Sequence, residues 1–306
     1  MIYTVTLNPA IDYVIGLPKL ELGELNRTEV ENFYPGGKGI NVSRVLTELD
    51  VKNMALGFVA GFTGHFIENS LRERSVQTDF VHLTRGCSRI GVKLKTRTEE
   101  TEVNAKGPLV DDEATQKLIQ KFEQLEDGDS LVLAGKIANG MSEDFYEIIM
   151  QKLSNRKINI VVDATKDSLL KTLPYHPFLI KPNREELADI FSTEIKHEAD
   201  IIQYGKKLQQ MGAQNVLISL ASEGSILIAS DGNIYKSNAP SGIVQNSVGA
   251  GDSMVAGFVA GYAKTHDYQE ALKLGSASGS ATAFSSDLAT ASDIEDTVQK
   301  IKIEKI

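Results

Sequence analysis

Asp252 closes the stretch Asn246-Ser247-Val248-Gly249-Ala250-Gly251-Asp252 and precedes an apolar run through Met254, Val255, Ala256, Phe258 and Val259. Two glycines, a small residue and a carboxylate therefore occupy the expected first turn of a helix. Glycine lets the backbone turn sharply and brings N–H groups close to a ligand. The start of a helix adds unsatisfied N–H donors and a positive dipole end, which together bind anions such as phosphate. A carboxylate in that turn can take the proton of a hydroxyl beside the anion, which is phosphoryl-transfer chemistry. It can equally be an acidic residue that complements a helix start.

A second cluster, Gly36-Gly37-Lys38-Gly39-Ile40-Asn41, opens a predicted helix over Asn41–Leu49. It is not a Walker A loop, because Asn32 stands where that loop needs glycine and Gly39 where it needs Ser or Thr. Neither cluster fits the dinucleotide fingerprint, whose third glycine would fall on Val42 or Met254. One such cluster is also what a tight turn looks like. Two in one chain, each ahead of an apolar helix, point to an anionic ligand.

Together the pair resembles the two signatures of the ribokinase-like family of sugar kinases. Asn8-Pro9-Ala10-Ile11-Asp12, Gly23-Glu24-Leu25-Asn26-Arg27 and Lys181-Pro182-Asn183-Arg184-Glu185-Glu186 are similar to its phosphosugar branch. The opening Met1-Ile2-Tyr3-Thr4-Val5-Thr6-Leu7-Asn8-Pro9 resembles 1-phosphofructokinases and, close behind, tagatose-6-phosphate kinases. The likeness runs from Met1 to about Phe284.

The resemblance implies ATP-dependent phosphorylation of a ketohexose phosphate. Fructose 1-phosphate is the leading substrate, with tagatose 6-phosphate and fructose 6-phosphate as rivals. Asp252 would be the base, and the N–H groups of Gly249, Ala250, Gly251 and Asp252 would form the anion hole. Asp12, Gly36, Gly37, Lys38 and Asn41 would line the sugar. Arg27 and Arg89 are candidates for the phosphate it already carries, since arginine binds phosphate in a bidentate fork. Lys181, Asn183, Ser219, Ser222, Gly224 and Ser247, with Gly249 and Gly251, would flank the nucleotide. Glu186, with Asn183, would sit by Mg²⁺, acting through water. Asn183-x-x-Glu186 is also a good capping sequence for a helix. None of the five histidines lies in a motif, so none competes as base. A nucleotide sensor using the same pocket is the reading from another class; Asp252 counts against it, since a sensor has no use for a base.

The elements that must hold these residues are legible as alternating strands and helices. Short continuous apolar runs at Ile2–Leu7, Met54–Val59, Ser130–Ala134, Ile158–Asp163, Phe178–Lys181 and Val216–Leu220 read as strands buried on both faces. Helical spacing lies between them, as in Ala114, Leu118, Ile119 and Phe122. Such alternation predicts a mostly parallel sheet covered on both sides. Asp231-Gly232 between Gly224–Ala229 and Ile234–Ser237 reads as a hairpin turn. Two stretches break the rhythm: Ile11–Tyr34, without helical spacing, and Arg89–Val103, which alternates apolar and polar as a half-wet sheet does.

The fold expected from the resemblance is a ribokinase-like three-layer α/β/α sandwich with a small β-sheet lid. Residues 1–10, 36–88 and 109–306 would form the α/β core, and 11–35 and 89–108 the lid, which excludes water from the site. The lid's free face would pair two copies into a homodimer, with Leu22, Ile90 and Val92 as contact positions.

Composition narrows the classes further. A formal net charge of −9 argues against nucleic acid, which needs a basic face. The single cysteine, Cys87, has no partner for an internal disulfide, and no stretch reaches the length of a membrane span. The expected setting is cytoplasmic.

Overall fold

The computed structural model describes residues 1–164 and 166–306. In chain order the elements are β1 (Ile2–Thr6), β2 (Ala10–Gly16), β3 (Val30–Gly36), α1 (Lys38–Glu48), β4 (Asn53–Ala60), α2 (Gly61–Glu73), β5 (Thr78–Leu83), β6 (Arg89–Lys95) and β7 (Glu100–Asn104). Then come α3 (Asp112–Phe122), β8 (Ser130–Ala134), α4 (Phe145–Leu153), β9 (Asn159–Asp163), α5 (Lys166–Thr172), β10 (Leu179–Ile180), α6 (Arg184–Phe191), α7 (Glu198–Gln210) and β11 (Asn215–Ser219). The chain finishes with β12 (Ser225–Ile228), β13 (Ile234–Ser237), α8 (Ala250–Thr265), α9 (Tyr268–Ala283), α10 (Ala291–Val298) and β14 (Ile303–Lys305).

Ten strands form one sheet in the order β14-β13-β12-β11-β10-β9-β8-β1-β4-β5, parallel from β11 to β5. The hairpin about Asp231-Gly232 and the final strand add an antiparallel edge. Alternation along the buried strands fills both sides. Leu131 and Leu133 face a core shared with α3 and α4, whereas Val132 and Ala134 face one shared with α1, α8 and α9. The Ser/Ala/Gly-rich helix α9 lies close against α8: a Cβ on Gly257 would stand 2.5 Å from the Leu274 carbonyl oxygen. The chain runs from β1 outward to β4 and β5, then returns to place β8 on the other side of β1. Order therefore reverses at β1, and in such sheets ligands bind at the carboxyl ends of the strands flanking the reversal.

The second sheet, β3-β2-β6-β7, is built from the two stretches that broke the rhythm. Arg89–Val103 falls into two strands, separated by a turn in which the Thr96 hydroxyl accepts the Glu99 N–H. Register puts Asp12 level with Tyr34, Gly91 and Asn104, and Val14 level with Asn32, Lys93 and Glu102, so these share one polar face. Ile11 and Ile90 belong to the opposite face and pack on the cluster around Ile40, Ile67 and Leu71. Ile90, expected at the contact with a second copy, is thus partly buried against this chain's own core. Beyond α2 the apolar face continues outward: Tyr13 stacks on Phe33, which is 51% exposed, and Val103 is 58% exposed.

Candidate active site

β1 ends on a pair of threonines that dock the first glycine cluster. Thr4 shares a 2.7 Å hydroxyl contact with Ser43, and Thr6 Oγ1 accepts the Ile40 N–H at 2.8 Å. Helix α1 thus begins at Lys38, three residues before the predicted start, with Gly37 as its N-cap. Gly36 is dictated by a neighbour: a Cβ there would stand 2.3 Å from Asp12 Oδ2. The missing side chain is what lets the Asp12 carboxylate lie over the strand beside it.

The other cluster opens α8 as expected. Gly249 is the N-cap in the left-handed region (φ 81°), and no side chain caps the turn. Gly251 and Asp252 N–H lie ahead of any intrahelical acceptor, so they are available to an anion. The Ala250 N–H is turned to the Ser247 carbonyl at 3.3 Å. The hole therefore has fewer free donors than the four residues predicted for it.

Asp252 is 6% exposed, and Asn41 Nδ2 donates to its Oδ2 at 2.9 Å, which joins the two clusters directly. Asp163, the last residue of β9, is buried behind them. Lys38 Nζ donates to Asp163 Oδ2 at 3.0 Å, and Lys181 Nζ lies 3.8 Å from its Oδ1. Lys181 also reaches the start of α8, where a Cβ on Gly251 would be 3.2 Å from its Nζ. Burial, then the charge of Asp163, push the Asp252 carboxyl up to about 6 despite the lysines and Asn41. Burial works to raise Asp163 as well, but Lys181 and Lys38 outweigh it and hold that carboxyl below its usual value. Burial would lower Lys38; Asp163 and then Asp252 keep it above its usual value. Charges alternate across the site: one carboxylate fixed ionised, two ammoniums, and one carboxylate poised to accept a proton.

A cleft of about 250 Å³ opens above Asn41, walled by Asp12, Tyr34, Lys93 and Lys95 of the small sheet and by Arg44, Val248 and Asp287 of the large unit. Arg44 is paired with Asp287. Burial raises the Asp12 carboxyl above its usual value, against the pull of Lys93 and Arg89. Arg27, expected at the substrate phosphate, is exposed on the segment joining β2 and β3 and is not in the cleft wall. Arg89 donates from Nε to the Asn8 carbonyl at 3.2 Å and from Nη1 to Asn104 Oδ1 at 3.1 Å.

On the other side, a cavity of about 240 Å³ is lined by Asp163, Lys181, Glu186 and Asp189. Asn183 Oδ1 accepts the Glu186 N–H at 2.7 Å and Glu186 Oε2 accepts the Asn183 N–H at 2.8 Å, a complete capping box. The capping reading of that pair is therefore satisfied in full. Asn183 bridges Ser219, so these two nucleotide candidates are neighbours. Ser222 lies in the exposed turn Ala221–Glu223, and Ser247 is exposed before α8. Gly224, by contrast, is buried against the Ser237 carbonyl.

Sequence reasoning missed Asp163 and Lys93. A carboxylate ending a buried apolar strand at the ligand end of the sheet was the available sign for Asp163. For Lys93 it was a lysine at an alternate position of a half-wet strand.

A family model described as pfkB family carbohydrate kinase matches residues 5–295. The chain belongs to that family. Like other pfkB carbohydrate kinases it is a sugar phosphotransferase with the ribokinase-like α/β fold. It is 44% identical over 306 residues to a 1-phosphofructokinase of Bacillus subtilis, covering all of both chains. It is 39% identical over 304 residues to a D-tagatose-1-phosphate kinase of Bacillus licheniformis, covering 99% of each. Among solved structures, phosphofructokinase-2 of Escherichia coli in complex with substrates and products superposes with a TM-score of 0.91 at 26% identity, over 97% of this chain and 98% of that one. In this pfkB kinase the paired glycine clusters thus meet at Asn41 and Asp252.

Proposed function

We propose that this kinase transfers the γ-phosphoryl group of ATP to the C6 hydroxyl of D-fructose 1-phosphate, giving fructose 1,6-bisphosphate and ADP. The observation that carries the reading is the buried Asp252 at the uncapped start of α8, hydrogen-bonded to Asn41 and flanked by Lys38 and Lys181. The sugar lies in the 250 Å³ cleft with hydroxyls on Asp12 and Asn41, at the backbone of Gly36 and Gly37. Asp252 takes the C6 proton as the oxygen bonds to phosphorus and the bond to the ADP oxygen breaks. The free N–H groups of α8, with Lys38 and Lys181, meet the charge spread over the phosphoryl oxygens. Each such donor is worth about 3 kcal/mol by analogy with an oxyanion-hole donor.

ATP would approach along Lys181, Asn183, Ser219, Ser222 and the Gly249–Gly251 turn. The carboxylates of the second cavity, Glu186 above all, are hard oxygen donors of the kind that suits hydrated Mg²⁺. The ion, when bound, neutralises phosphate oxygens during transfer. The β2-β3-β6-β7 sheet acts as a lid, and its exposed outer face joins two copies into a dimer in the cytoplasm.

Identity to a D-tagatose-1-phosphate kinase favours one further candidate, tagatose 1-phosphate, which differs from fructose 1-phosphate only in configuration at C4. An ADP-release assay over fructose 1-phosphate, tagatose 1-phosphate, tagatose 6-phosphate, fructose 6-phosphate, the free sugars and a nucleoside decides. The expected order puts fructose 1-phosphate first in kcat/KM. A free sugar or a nucleoside in first place would overturn the reading.

A further inference from the structure

Helix α8 starts without a side-chain cap, and the hydrogen bonds that shape its first turn are long. The Val248 N–H reaches Asn246 Oδ1 at 3.2 Å, and the Ala250 N–H reaches the Ser247 carbonyl at 3.3 Å. Gly249 between them sits at φ 81°, in the region where glycine turns freely. What rests on that turn comes from close to the other end of the chain. A Cβ on Gly249 would stand 2.5 Å from Leu288 Cδ2, so the leucine packs directly on bare backbone. One residue on, the Ala289 N–H donates to Thr282 Oγ1 at 3.1 Å, and that hydroxyl lies 2.8 Å from the hydroxyl of Ser253, next to Asp252.

Residues 285–291, which run from α9 to the start of α10, are themselves tied to α1. Arg44, 9% exposed, is ion-paired with Asp287, and Glu48 Oε2 accepts the Ala291 N–H at 2.9 Å. Asn41, Arg44 and Glu48 follow one another at i, i+3 and i+7, which is one face of a helix. That face therefore holds both the Asp252 carboxylate, through Asn41, and the segment that presses on Gly249. A buried ion pair adds little stability, because desolvation offsets the attraction. The planar guanidinium does give a fixed geometry.

We propose that Arg44 is a positioning residue for phosphoryl transfer: through Asp287 it holds the 285–291 segment so that Leu288 sets the Gly249 turn beside Asp252. This rests on the reading of the start of α8 as the phosphoryl-binding turn. The turn has little of its own to keep its free N–H groups aimed, and Leu288 supplies the missing constraint from outside. Without the ion pair the segment loosens, the turn follows, and the donors no longer meet the transferring group squarely. Ground-state binding of sugar and nucleotide is spread over other residues and changes little.

Steady-state kinetics test this, with ATP and the sugar that leads the ADP-release assay varied separately, and a thermal melt of each variant. Arg44→Met and Asp287→Asn are each expected to lower kcat about 10- to 100-fold, the scale of a small misplacement at a reacting centre, with both KM values within about threefold of wild type. The double variant is expected to fall no further than the more impaired single, because the two residues act as one unit. Leu288→Ala should show the same loss of kcat at nearly constant KM. Asp287→Asn keeps the shape of a partly exposed side chain, so it carries the test if Arg44→Met does not fold. The proposal is overturned if Arg44→Met raises KM for the sugar and leaves kcat unchanged, as loss of a direct substrate contact would. It is equally overturned if Asp287→Asn or Leu288→Ala keeps its kcat, or if the variants melt lower with their kinetic constants intact. An Asp252→Asn enzyme of wild-type rate removes the reading of the turn itself; with that variant inactive, the Arg44, Asp287 and Leu288 results judge the segment alone.

Discussion

Burial and the charge of Asp163 raise the Asp252 carboxyl from about 4 in an unfolded chain to about 6 in the folded one. Between those values the folded state holds the proton more tightly than the unfolded state, so this residue's contribution to stability falls as pH rises and is at its worst above pH 6. Asp252→Asn removes that penalty and keeps an acceptor for Asn41. The variant is expected to melt higher than wild type at pH 7.5, with the difference gone below about pH 4. Its kcat should fall about 10²- to 10⁴-fold, the usual loss for a positioned base. Wild-type kcat should decline as pH drops through about 6, where the base becomes protonated. Thermal melts across pH and a kcat profile check both; a variant that is active, or no more stable, removes the base from Asp252. The motif residues were readable because local spacing announced them. Asp163 was not, because its meaning comes from Lys38, which is 125 residues distant in the chain.

Helix α6 combines support and function in one turn. Loss of the Asn183 side chain by Asn183→Ala should cost about 1 kcal/mol of stability, measured by denaturant unfolding, since it removes an N-cap acceptor. Glu186→Gln keeps a hydrogen-bond acceptor for the Asn183 N–H, so its stability should change less. If Glu186 also serves hydrated Mg²⁺, the variant needs more magnesium for half-maximal rate; an unchanged magnesium curve assigns the residue to capping alone. Most buried strands were legible to within a residue or two, because runs such as Ser130–Ala134 are apolar on both faces. The break between β6 and β7 was not, since Thr96–Glu99 carries no glycine or proline to mark the turn. The inward position of Lys93 was equally hidden: alternation shows which residues share a face, and only the register with β2 shows that this face looks into a cleft.

For the molecule as a whole, the small sheet leaves Phe33 and Val103 exposed on one face, and the segment joining β2 and β3 leaves Leu22 90% exposed. Exposed apolar groups of this kind are commonly covered by a second copy, and two-fold dimers are the commonest arrangement. Leu22→Asp with Phe33→Asp should convert a dimer to a monomer in light scattering at micromolar concentration and raise KM for the sugar phosphate; a wild-type monomer of full activity rules the assembly out. The place of β1 in the large sheet has a consequence for synthesis. It precedes the other strands of that sheet along the chain, and it pairs on one side with β4 and on the other with β8, which ends at Ala134. At about 5–20 residues per second, a ribosome leaves that second edge open for on the order of ten seconds. A nascent chain halted before β8 therefore offers an unsatisfied apolar strand to any neighbour. Ribosome-bound chains ending near residue 120 should be cut readily by a protease or captured by a chaperone, and those extended well past β9 should resist both.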